Sequence, residues 1–496
     1  MTKKITKILI ANRGEIALRV IQTAKKMGIK TVTIFTEEER SLPHAYAGDE
    51  SYLLGTGALR DTYLNQDLII SIAKKTGADA IHPGYGFLSE KADFAKKVTE
   101  AGIIFIGPTP EAISLMGDKK TSKIKIQELG VPSIPGYHGD NQKPEFLLDK
   151  AKEIGFPVLI KASAGGGGKG MRIVEHEKEF ISNLEGAKRE ALNAFSDDTV
   201  LIEKYIKSPR HIEIQVMSDS HGNHLHLFER ECSIQRRYQK IVEESPSTAV
   251  NAELRKQMTD AALKITRGIN YLGAGTVELI LDTDGKFYFL EMNTRLQVEH
   301  PVTEMVTGLD LVRLQILVAS GEKLPMSQAE VKQTGHAIEV RLYAEDPDNN
   351  FLPSIGTISK IGTTHLRHVR LDSGYVDGND VSIAFDPMLA KLIAFGETRD
   401  EAIKTMDLAL NDIVFLGKGI KTNRSYLKRI LKTEEFKKGL TYTHFVNTYA
   451  EKLQPVKATR DEEALAIAAF LFSKSNVIQQ SKAKDVWSRL EGFRNV

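Results

Sequence analysis

The sequence predicts a multidomain protein of the α/β and α+β classes that opens with a doubly wound parallel sheet. At 496 residues, the chain is too long for one simple domain. Strand and helix patterns alternate through residues 1–118, an order typical of a parallel sheet covered by helices. After residue 204, alternating strand patterns dominate, so the later domains mix sheet and helix in a different arrangement.

The first domain is predicted from its opening segments. Residues 5–11 have the apolar run of a buried strand, and Asn12-Arg13-Gly14 provides a turn after it. A helix with apolar residues at helical spacing follows and is expected to end near Gly28. Thr31–Phe35 supplies the second strand, and the alternation continues to Ile103–Ile106. The first strand is not followed by Gly-x-Gly-x-x-Gly, so the sequence does not support a dinucleotide-binding fold.

The pattern changes at three places farther along the chain. Gly130-Val131-Pro132 precedes a small unit of strands and glycines over residues 133–203. A stretch rich in Pro and Asp, residues 346–353, separates a further unit with strand patterns that reaches about residue 446. Beyond it, Asp461–Phe472 is a candidate apolar helix.

The composition argues against several classes of protein. The 67 basic and 65 acidic residues leave a net charge of only +2, whereas nucleic-acid binding favours a strong positive excess. The single cysteine, Cys232, cannot form an internal disulfide and is predicted to be a small core residue. The first residues lack the apolar core of a signal peptide, and no apolar run approaches the ~20 residues that span a bilayer. We therefore expect a cytoplasmic protein.

A run of glycines, Gly165–Gly168, lies between two strand patterns and is flanked by Lys161 and Lys169. Consecutive glycines let backbone amides approach an anion closely, and the lysines add positive charge. Gly168-Lys169-Gly170 lacks the Ser or Thr of a Walker loop. The run alone supports an anion-binding loop and a flexible hairpin tip equally.

The strongest signal is a pair of carboxylates on a predicted hairpin. The strand patterns Thr276–Asp282 and Lys286–Asn293 are joined at Asp284-Gly285, which predicts a two-residue turn. That turn sets Glu278 directly opposite Glu291, with Cβ atoms ~5 Å apart.

Two like charges facing each other on a sheet are destabilising unless something neutralises them. Asn293 shares the face of Glu291, since it lies two residues farther along the strand. Carboxylate and amide oxygens suit a hard cation such as Mg²⁺, so a metal site is favoured over a solvated face.

The neighbouring segments carry further charged residues. Arg295 follows the carboxylates and could hold an anion, while Glu299 could act as a general base. Residues 229–240 are dense in charge, and taken alone they indicate a solvated surface. His211 and Glu213 share one face of a predicted strand, and His211 alone is more typical of a structural histidine.

Together these segments resemble the biotin carboxylases. The resemblance covers about nine-tenths of the chain and rests on long, ordered motifs: Asn12–Ala17, His82–Glu90, Lys161–Gly170, Glu203–Tyr205, Glu291–Glu304 and Phe385–Met388. It implies an ATP-grasp fold with a pre-ATP-grasp domain (residues 1–118), an ATP-grasp domain (119–317) that includes a glycine-loop lid (133–203), and a biotin carboxylase C-terminal domain (318–446). Residues 447–496 remain as a tail that we expect to dock on the protein or on a partner.

In this family, ATP phosphorylates bicarbonate, and the carboxyphosphate so formed delivers CO₂ to N1′ of biotin. The resemblance implies that the nucleotide contacts are Lys119, Lys161, Gly165, Gly166, Gly167, Gly168, Glu203, Lys204, Ile206, His211 and Gln235. It implies that Glu278, Glu291 and Asn293 hold two Mg²⁺ or Mn²⁺ ions, in agreement with the hairpin argument.

The resemblance also implies the remaining contacts of the reaction. Bicarbonate is expected to meet Lys240, Arg295, Gln297 and Val298, and biotin is expected to meet Tyr85 and Arg341. Glu299 resembles the base that deprotonates bicarbonate, and the guanidinium of Arg341 would stabilise the biotin enolate. Tyr238 departs from the family, where histidine is frequent at this position, which puts one nucleotide contact in doubt.

The sequence contains no Met-Lys-Met biotinylation motif and no carboxyltransferase segment. We therefore expect biotin to arrive on a separate biotin carboxyl carrier protein, a carboxyltransferase subunit to act next, and the chain to form a homodimer. The final acceptor stays open between acetyl-CoA, propionyl-CoA, another acyl-CoA and pyruvate. One alternative is another ATP-grasp ligase, which is not expected to combine His82–Glu90 with Ile338–Arg341. The other is a non-catalytic ATP-binding or regulatory subunit, which is expected to have lost Lys240, Arg295, Glu299 or the metal carboxylates, and all of these are present.

Overall fold

The computed structural model describes residues 3–163, 170–195 and 197–455. Residues 1–452 form one compact unit, and a second unit begins at Leu453. The predicted apolar helix Asp461–Phe472 and the glycine run Gly165–Gly168 lie outside the described residues. Among the described residues, no helix combines the length and the apolar character that a bilayer crossing requires.

The N-terminal segment folds as the predicted doubly wound sheet. Its strands are β1 (Lys7–Ile10), β2 (Lys30–Thr36), β3 (Glu50–Gly55), β4 (Ala80–His82) and β5 (Ile104–Phe105), and its helices are α1 (Gly14–Lys26), α2 (His44–Ala47), α3 (Gln66–Thr76) and α4 (Ala92–Glu100). The strands are parallel in the order β3-β2-β1-β4-β5. Ile8 and Ile10 pack into one apolar cluster and Leu9 into another, so both faces of the sheet are covered.

A four-stranded antiparallel sheet with its own core follows. The elements of this part of the chain are α5 (Pro110–Gly117), α6 (Lys119–Glu128), β6 (Gly136–Tyr137), α7 (Pro144–Ile154), β7 (Val158–Ala162), β8 (Arg172–Val174), α8 (Phe180–Phe195) and β9 (Val200–Lys204). The strands are ordered β6-β9-β7-β8, and residues of α7, α8 and the sheet form a separate apolar cluster. This unit occupies the segment for which the sequence predicts a lid.

An eight-stranded sheet then carries most of the candidate site. The strands of this part of the chain are β10 (Arg210–Ser218), β11 (His224–Arg236), β12 (Gln239–Ser245), β13 (Gly273–Leu281), β14 (Phe287–Asn293), β15 (His336–Tyr343), β16 (Glu345–Asp346), β17 (Leu352–Pro353), β18 (Gly356–Gly362), β19 (Val369–Ser373), β20 (Asp380–Val381), β21 (Met388–Gly396) and β22 (Val414–Lys418). The order of the large sheet is β14-β13-β10-β11-β12-β15-β21-β19, and all of these pairs are antiparallel.

The remaining helices of the described residues lie between or after these strands. They are α9 (Ala252–Gly268), α10 (His300–Thr307), α11 (Leu311–Ala319), α12 (Arg399–Asp412), α13 (Arg424–Lys432), α14 (Glu434–Lys437) and α15 (Phe445–Thr448). The large sheet continues without interruption from β12 to β15 and β21, so it crosses both the predicted boundary at residue 318 and the stretch at residues 346–353. The predicted domain boundaries remain predictions.

Candidate active site

A cavity of about 1020 Å³ opens where the N-terminal segment meets the large sheet. Its walls include most of the residues that the sequence singled out: Tyr85, Lys119, His211, Gln235, Lys240, Glu278, Glu291, Asn293, Arg295, Gln297, Val298 and Arg341. Tyr238 also lines the cavity and is 73% exposed. The fold therefore gathers residues more than 250 positions apart in the chain around one space large enough for a nucleotide and a second substrate.

Four of the predicted nucleotide contacts lie outside the lining of this cavity. The amine of Lys161 pairs with Glu203, which also pairs with Lys123 and lies 3.1 Å from Nε2 of His138. Burial, followed by the charge of Lys119, lowers the pKa of Lys161 to about 8. Since the carboxylate of Glu203 is buried beside this amine, it occupies a position where an incoming phosphate could replace it.

The side chains of Lys204 and Ile206 do not reach the cavity. Lys204 donates through Nζ to the carbonyl oxygens of Gly155 at 2.8 Å and Phe156 at 3.1 Å. Ile206 packs with Ile134 and Ile280 in a small apolar cluster. Any contact of these two residues with a base would therefore involve their backbone or the apolar surface of Ile206.

The predicted carboxylate pair is present, although the predicted turn is wrong. Asp282 donates to the carbonyl of Lys286, so the loop contains three residues and ends at Gly285 with a φ of +82°. A register shift beyond Leu279 then inserts one extra residue into β14. The longer loop and the bulge offset each other, and Glu278 pairs directly with Glu291 as predicted.

Glu278 receives hydrogen bonds from several groups at once. The donors to Oε1 are Lys240 Nζ at 2.8 Å, Asn293 Nδ2 at 2.7 Å and Gln297 Nε2 at 3.0 Å, and His211 Nε2 lies 2.9 Å from Oε2. Burial opposes ionisation here, but Lys240 and His211 outweigh it and hold the pKa of Glu278 below its usual range. Glu278 is therefore a carboxylate, ready to bind a cation.

Glu291 has the opposite tendency. Burial and the charge of Glu278 raise its pKa above the usual range. A divalent cation between the two carboxylates would remove this repulsion, and their oxygens are the donors that Mg²⁺ and Mn²⁺ prefer. The oxygen of Asn293 accepts instead from Arg295 at 3.1 Å, so its place in the metal site remains a prediction.

Lys240 binds three buried carboxylates at once. Its amine donates to Glu213 at 2.6 Å, to Glu278 at 2.8 Å and to Glu299 at 2.7 Å. Burial disfavours the cation, but these three carboxylates raise the pKa of Lys240 well above its usual range. One ammonium group thus links Glu278, the predicted metal ligand, to Glu299, the predicted base.

Glu299 is held between two cations. It is fully buried, and its second oxygen accepts from Arg341 Nη2 at 2.9 Å. Burial raises the pKa of Glu299, but Lys240 and then Arg341 outweigh burial and hold it well below the usual range. Arg341 also donates through Nε to Glu243 at 2.6 Å. In this state Glu299 is a carboxylate that can accept a proton, but it is a weak base.

The remaining predicted contacts are bound by neighbouring residues to which the sequence analysis assigned no role. Arg295 donates to Glu90 at 2.7 Å. Tyr85 donates to Glu15, whose carboxylate lies 3.2 Å from Lys391 Nζ. The same amine donates to the carbonyl of Val298 at 2.9 Å. Lys391 therefore supports both a predicted biotin contact and a predicted bicarbonate contact from behind the cavity.

Two interpretations of single residues and runs change once the sheet is known. The first half of the charged run at residues 229–240 is not a solvated surface, because Glu229, Arg230 and Glu231 are buried in the interior of the sheet, whereas Arg237 and Tyr238 are exposed. Arg230 donates to one carboxylate oxygen of Glu213, and Lys240 donates to the other. His211, which resembled a structural histidine when taken alone, faces Glu278 in the cavity wall. The buried position predicted for Cys232 is confirmed.

Family models match three consecutive segments of the chain. They are the biotin carboxylase N-terminal domain at residues 4–113, the carbamoyl-phosphate synthase L chain ATP-binding domain at residues 118–327, and the biotin carboxylase C-terminal domain at residues 339–448. The predicted ATP-grasp architecture, with its biotin carboxylase N- and C-terminal domains, is thereby confirmed.

Relatives cover nearly the whole chain. Biotin carboxylase 1 of Bacillus subtilis is 48% identical over 446 residues, which are 90% of this chain and 99% of that protein. The mitochondrial methylcrotonoyl-CoA carboxylase subunit alpha of Dictyostelium discoideum is 49% identical over 496 residues, 99% of this chain and 71% of that protein. The chain spans 65% of the length of the rat subunit of the same name.

Solved structures agree with these relatives. The biotin carboxylase domain dimer of the Hydrogenobacter thermophilus 2-oxoglutarate carboxylase, in complex with MgADP, ADP and bicarbonate, is 44% identical with a TM-score of 0.86 and covers 92% of this chain and 100% of that one. The Campylobacter jejuni biotin carboxylase is 44% identical with a TM-score of 0.85, covering 90% of this chain and 99% of that one. The chain belongs to the biotin carboxylase family and carries the ATP-binding domain of that family.

Proposed function

We propose that this chain carboxylates biotin in an ATP-dependent reaction with bicarbonate, as the first half-reaction of an acyl-CoA or pyruvate carboxylase. The observation that carries the proposal is the position of Glu299, which is bound by Lys240 at 2.7 Å and Arg341 at 2.9 Å beside the cavity. Lys240 simultaneously binds Glu278, so a base, an anion-binding cation and a metal carboxylate are linked by direct contacts.

The nucleotide would enter between the small four-stranded sheet and the large sheet. Lys119, His211 and Gln235 line the cavity, and Lys161 could exchange Glu203 for a phosphate oxygen. The residues Glu278 and Glu291, with Asn293, would hold Mg²⁺ or Mn²⁺. The bound cations supply charge stabilisation of the phosphate oxygens as the γ-phosphoryl group is transferred.

Bicarbonate binding would change the role of Glu299. An anion beside Arg295 and Lys240 adds a negative charge close to Glu299 and competes for the Lys240 ammonium, which Glu299 already shares with Glu213 and Glu278. The pKa of Glu299 would then rise towards its ordinary range, which makes it a stronger base when the substrate is present. Glu299 would take the bicarbonate proton, and the resulting oxyanion would attack the γ-phosphorus of ATP; the bond from this phosphorus to the bridging oxygen breaks, so carboxyphosphate forms and ADP leaves.

Biotin would bind at the same cavity, next to Arg341 and Tyr85. Carboxyphosphate would break down to CO₂ and phosphate, the phosphate would take the proton of N1′ of biotin, and N1′ would attack CO₂. The guanidinium of Arg341 remains charged and is oriented by two carboxylates, so it can stabilise the enolate oxygen that develops as N1′ loses its proton. Tyr85 is fixed through its hydrogen bond to Glu15.

The relatives support proposals for the partners and for the acceptor. We propose that biotin is presented by a carrier protein or domain and that a carboxyltransferase completes the reaction, with an acyl-CoA as acceptor, since alpha subunits of methylcrotonoyl-CoA and propionyl-CoA carboxylases are among the relatives. The dimeric Hydrogenobacter domain supports a homodimer. The cytoplasmic location remains a prediction from the sequence, and the relatives include mitochondrial proteins.

The decisive experiment is ATP cleavage by the purified chain with and without bicarbonate and free biotin. We expect ATP cleavage to require bicarbonate and to be stimulated by biotin only when bicarbonate is present. Detection of acid-labile carboxybiotin from labelled bicarbonate supplies the second readout. Equal ATP cleavage without bicarbonate would refute the proposal and favour a different ATP-grasp ligase.

A further inference from the structure

Glu339 is a buried carboxyl group behind the cavity that the proposed function leaves unused. It lies on β15, two residues before Arg341, and its side chain is fully buried. Neither of its carboxyl oxygens has a hydrogen-bond partner among the described residues. Burying a carboxylate without a partner costs far more free energy than burying a neutral carboxylic acid. The position of Glu339 therefore calls for a neutral group.

The residue opposite Glu339 is a second buried glutamate. Glu243 on β12 is in register with Glu339, so their Cβ atoms lie ~5 Å apart on one face of the sheet. Glu243 is also fully buried, and its Oε1 accepts from Arg341 Nε at 2.6 Å, while its Oε2 has no partner among the described residues. Two ionised carboxylates at this separation in the interior repel each other, and one of them keeps its proton.

The cations near Glu339 are bound by other carboxylates. Arg341 is bound by Glu243 and Glu299, and Lys391 lies 3.2 Å from Glu15 and 3.8 Å from Asp372. The charged groups that act on Glu339 are Lys391 of β21, Glu243 of β12, Arg341 of β15 and Glu299 before α10. Burial and Glu243 together outweigh Lys391 and Arg341, and they raise the pKa of Glu339 well above its usual range. Burial raises the pKa of Glu243 as well, to about 7, but Arg341 opposes this shift, so Glu243 is the member of the pair that ionises first.

We propose that Glu339 is a positioning residue for Arg341 and that it keeps its proton in the active enzyme; this rests on the proposed role of Arg341 in binding biotin. A neutral Glu339 leaves Glu243 and Glu299 as the two carboxylates that orient the guanidinium. An ionised Glu339 adds a negative charge on the core side of Arg341 and draws the guanidinium away from the cavity. Its ionisation weakens biotin binding while the nucleotide contacts are untouched.

Infrared spectroscopy tests the protonation state without any activity. The carboxyl stretch of a protonated acid is separate from the bands of ionised carboxylates, so the wild-type chain should show a protonated-acid band at neutral pH that decreases in Glu339→Gln. If the spectra of the two proteins match in this region, Glu339 is ionised and the inference is overturned, whatever the enzyme does.

The kinetic test uses biotin-stimulated, bicarbonate-dependent ATP cleavage across a range of pH. Glutamine imitates the protonated carboxyl and cannot ionise, so kcat/KM for biotin in Glu339→Gln should equal that of the wild type at neutral pH. At one pH unit above the midpoint of the alkaline decrease of the wild type, about a tenth of the Glu339 carboxyl groups are still protonated. The kcat/KM for biotin of the variant should therefore exceed that of the wild type roughly tenfold at this pH. The KM for ATP should be the same in both proteins.

Ile338→Val is the matched control, since its side chain is buried on the opposite face of the same strand. It should lower the melting temperature and leave the pH profile unchanged. An alkaline limb in Glu339→Gln that coincides with that of the wild type would overturn the positioning role. Absence of bicarbonate-dependent cleavage in the wild type itself would instead refute the proposed function, and the infrared result would still stand.

Discussion

Replacing Glu299 by glutamine removes the proposed base with almost no change in shape. In the wild type, Glu299 accepts from Lys240 at 2.7 Å on one oxygen and from Arg341 at 2.9 Å on the other. Glutamine keeps one oxygen for these donors and turns an amide N–H₂ group towards the second. The variant therefore loses basicity and one charged hydrogen bond.

The contacts of the two cations determine how large each effect should be. A positioned general base contributes about 10²–10⁴-fold to the rate, so kcat should fall by roughly 10²-fold or more. Lys240 keeps Glu213 at 2.6 Å and Glu278 at 2.8 Å, and Arg341 keeps Glu243 at 2.6 Å. The loss of one buried hydrogen bond to a charged group should reduce the free energy of unfolding by about 1.5–3 kcal/mol.

The direction of the Glu299 pKa shift also predicts how this loss depends on pH. A carboxyl group with a depressed pKa in the folded state stabilises the fold above its unfolded pKa, about 4.3 for glutamate. This stabilisation disappears as the pH falls through the folded value, which for Glu299 is well below the usual range. The difference in unfolding free energy between wild type and Glu299→Gln should therefore shrink as the pH is lowered below about 4.

The assay compares ATP binding, bicarbonate-dependent ATP cleavage and urea unfolding in the two proteins. Glu304→Gln is a matched control, because Glu304 is also buried and bound by two arginines, Arg19 and Arg370, yet it does not line the cavity. The control should lose stability and keep its turnover. Near-normal turnover of Glu299→Gln with intact ATP binding would make Glu299 a structural residue and refute the reasoning.

Three further outcomes test separate parts of the site. Arg341→Ala should retain part of the bicarbonate-dependent ATP cleavage, while carboxybiotin formation should fall by about tenfold or more; a parallel loss of both rates would indicate that Arg341 acts through Glu299 and not on biotin. Glu291→Gln should weaken Mn²⁺ binding, measured by electron paramagnetic resonance, whereas the exposed carboxylate variant Glu322→Gln should not. Addition of ATP should slow backbone hydrogen exchange in β7, residues Val158–Ala162, and unchanged exchange there would argue against the predicted nucleotide-covering lid.

The hairpin of β13 and β14 illustrates how far local patterns reach. The alternation of apolar residues and the Asp284-Gly285 pair predicted the two strands and the facing carboxylates. The turn type was wrong, because the extra loop residue and the bulge in β14 depend on packing that no dipeptide specifies. The pairing of Glu278 with Glu291 was confirmed only because these two departures offset each other.

Contacts between strands that are distant in the chain could not be predicted from the sequence. Lys240 meets Glu213 because β10, β11 and β12 are neighbours in the large sheet, and Glu243 faces Glu339 because β12 pairs with β15. Alternation along one strand tells which residues share a face, but it does not tell which strand lies alongside. The burial of the charges at the start of the run at residues 229–240 had no local signal, since Glu229, Arg230 and Glu231 follow one another without the alternation of polar and apolar residues that marks a half-buried strand.

The continuity of the large sheet has a consequence for how such chains can be recombined. The backbone ladder between β12 and β15 joins the segment matched by the ATP-binding family model to the one matched by the C-terminal model. A crossover placed between residues 327 and 339 in a chimera would join strands from two parents inside one hydrogen-bonded layer. It would also separate Lys240 from the Arg341 with which it shares Glu299. In a functional chimera, these two segments should therefore come from the same parent protein.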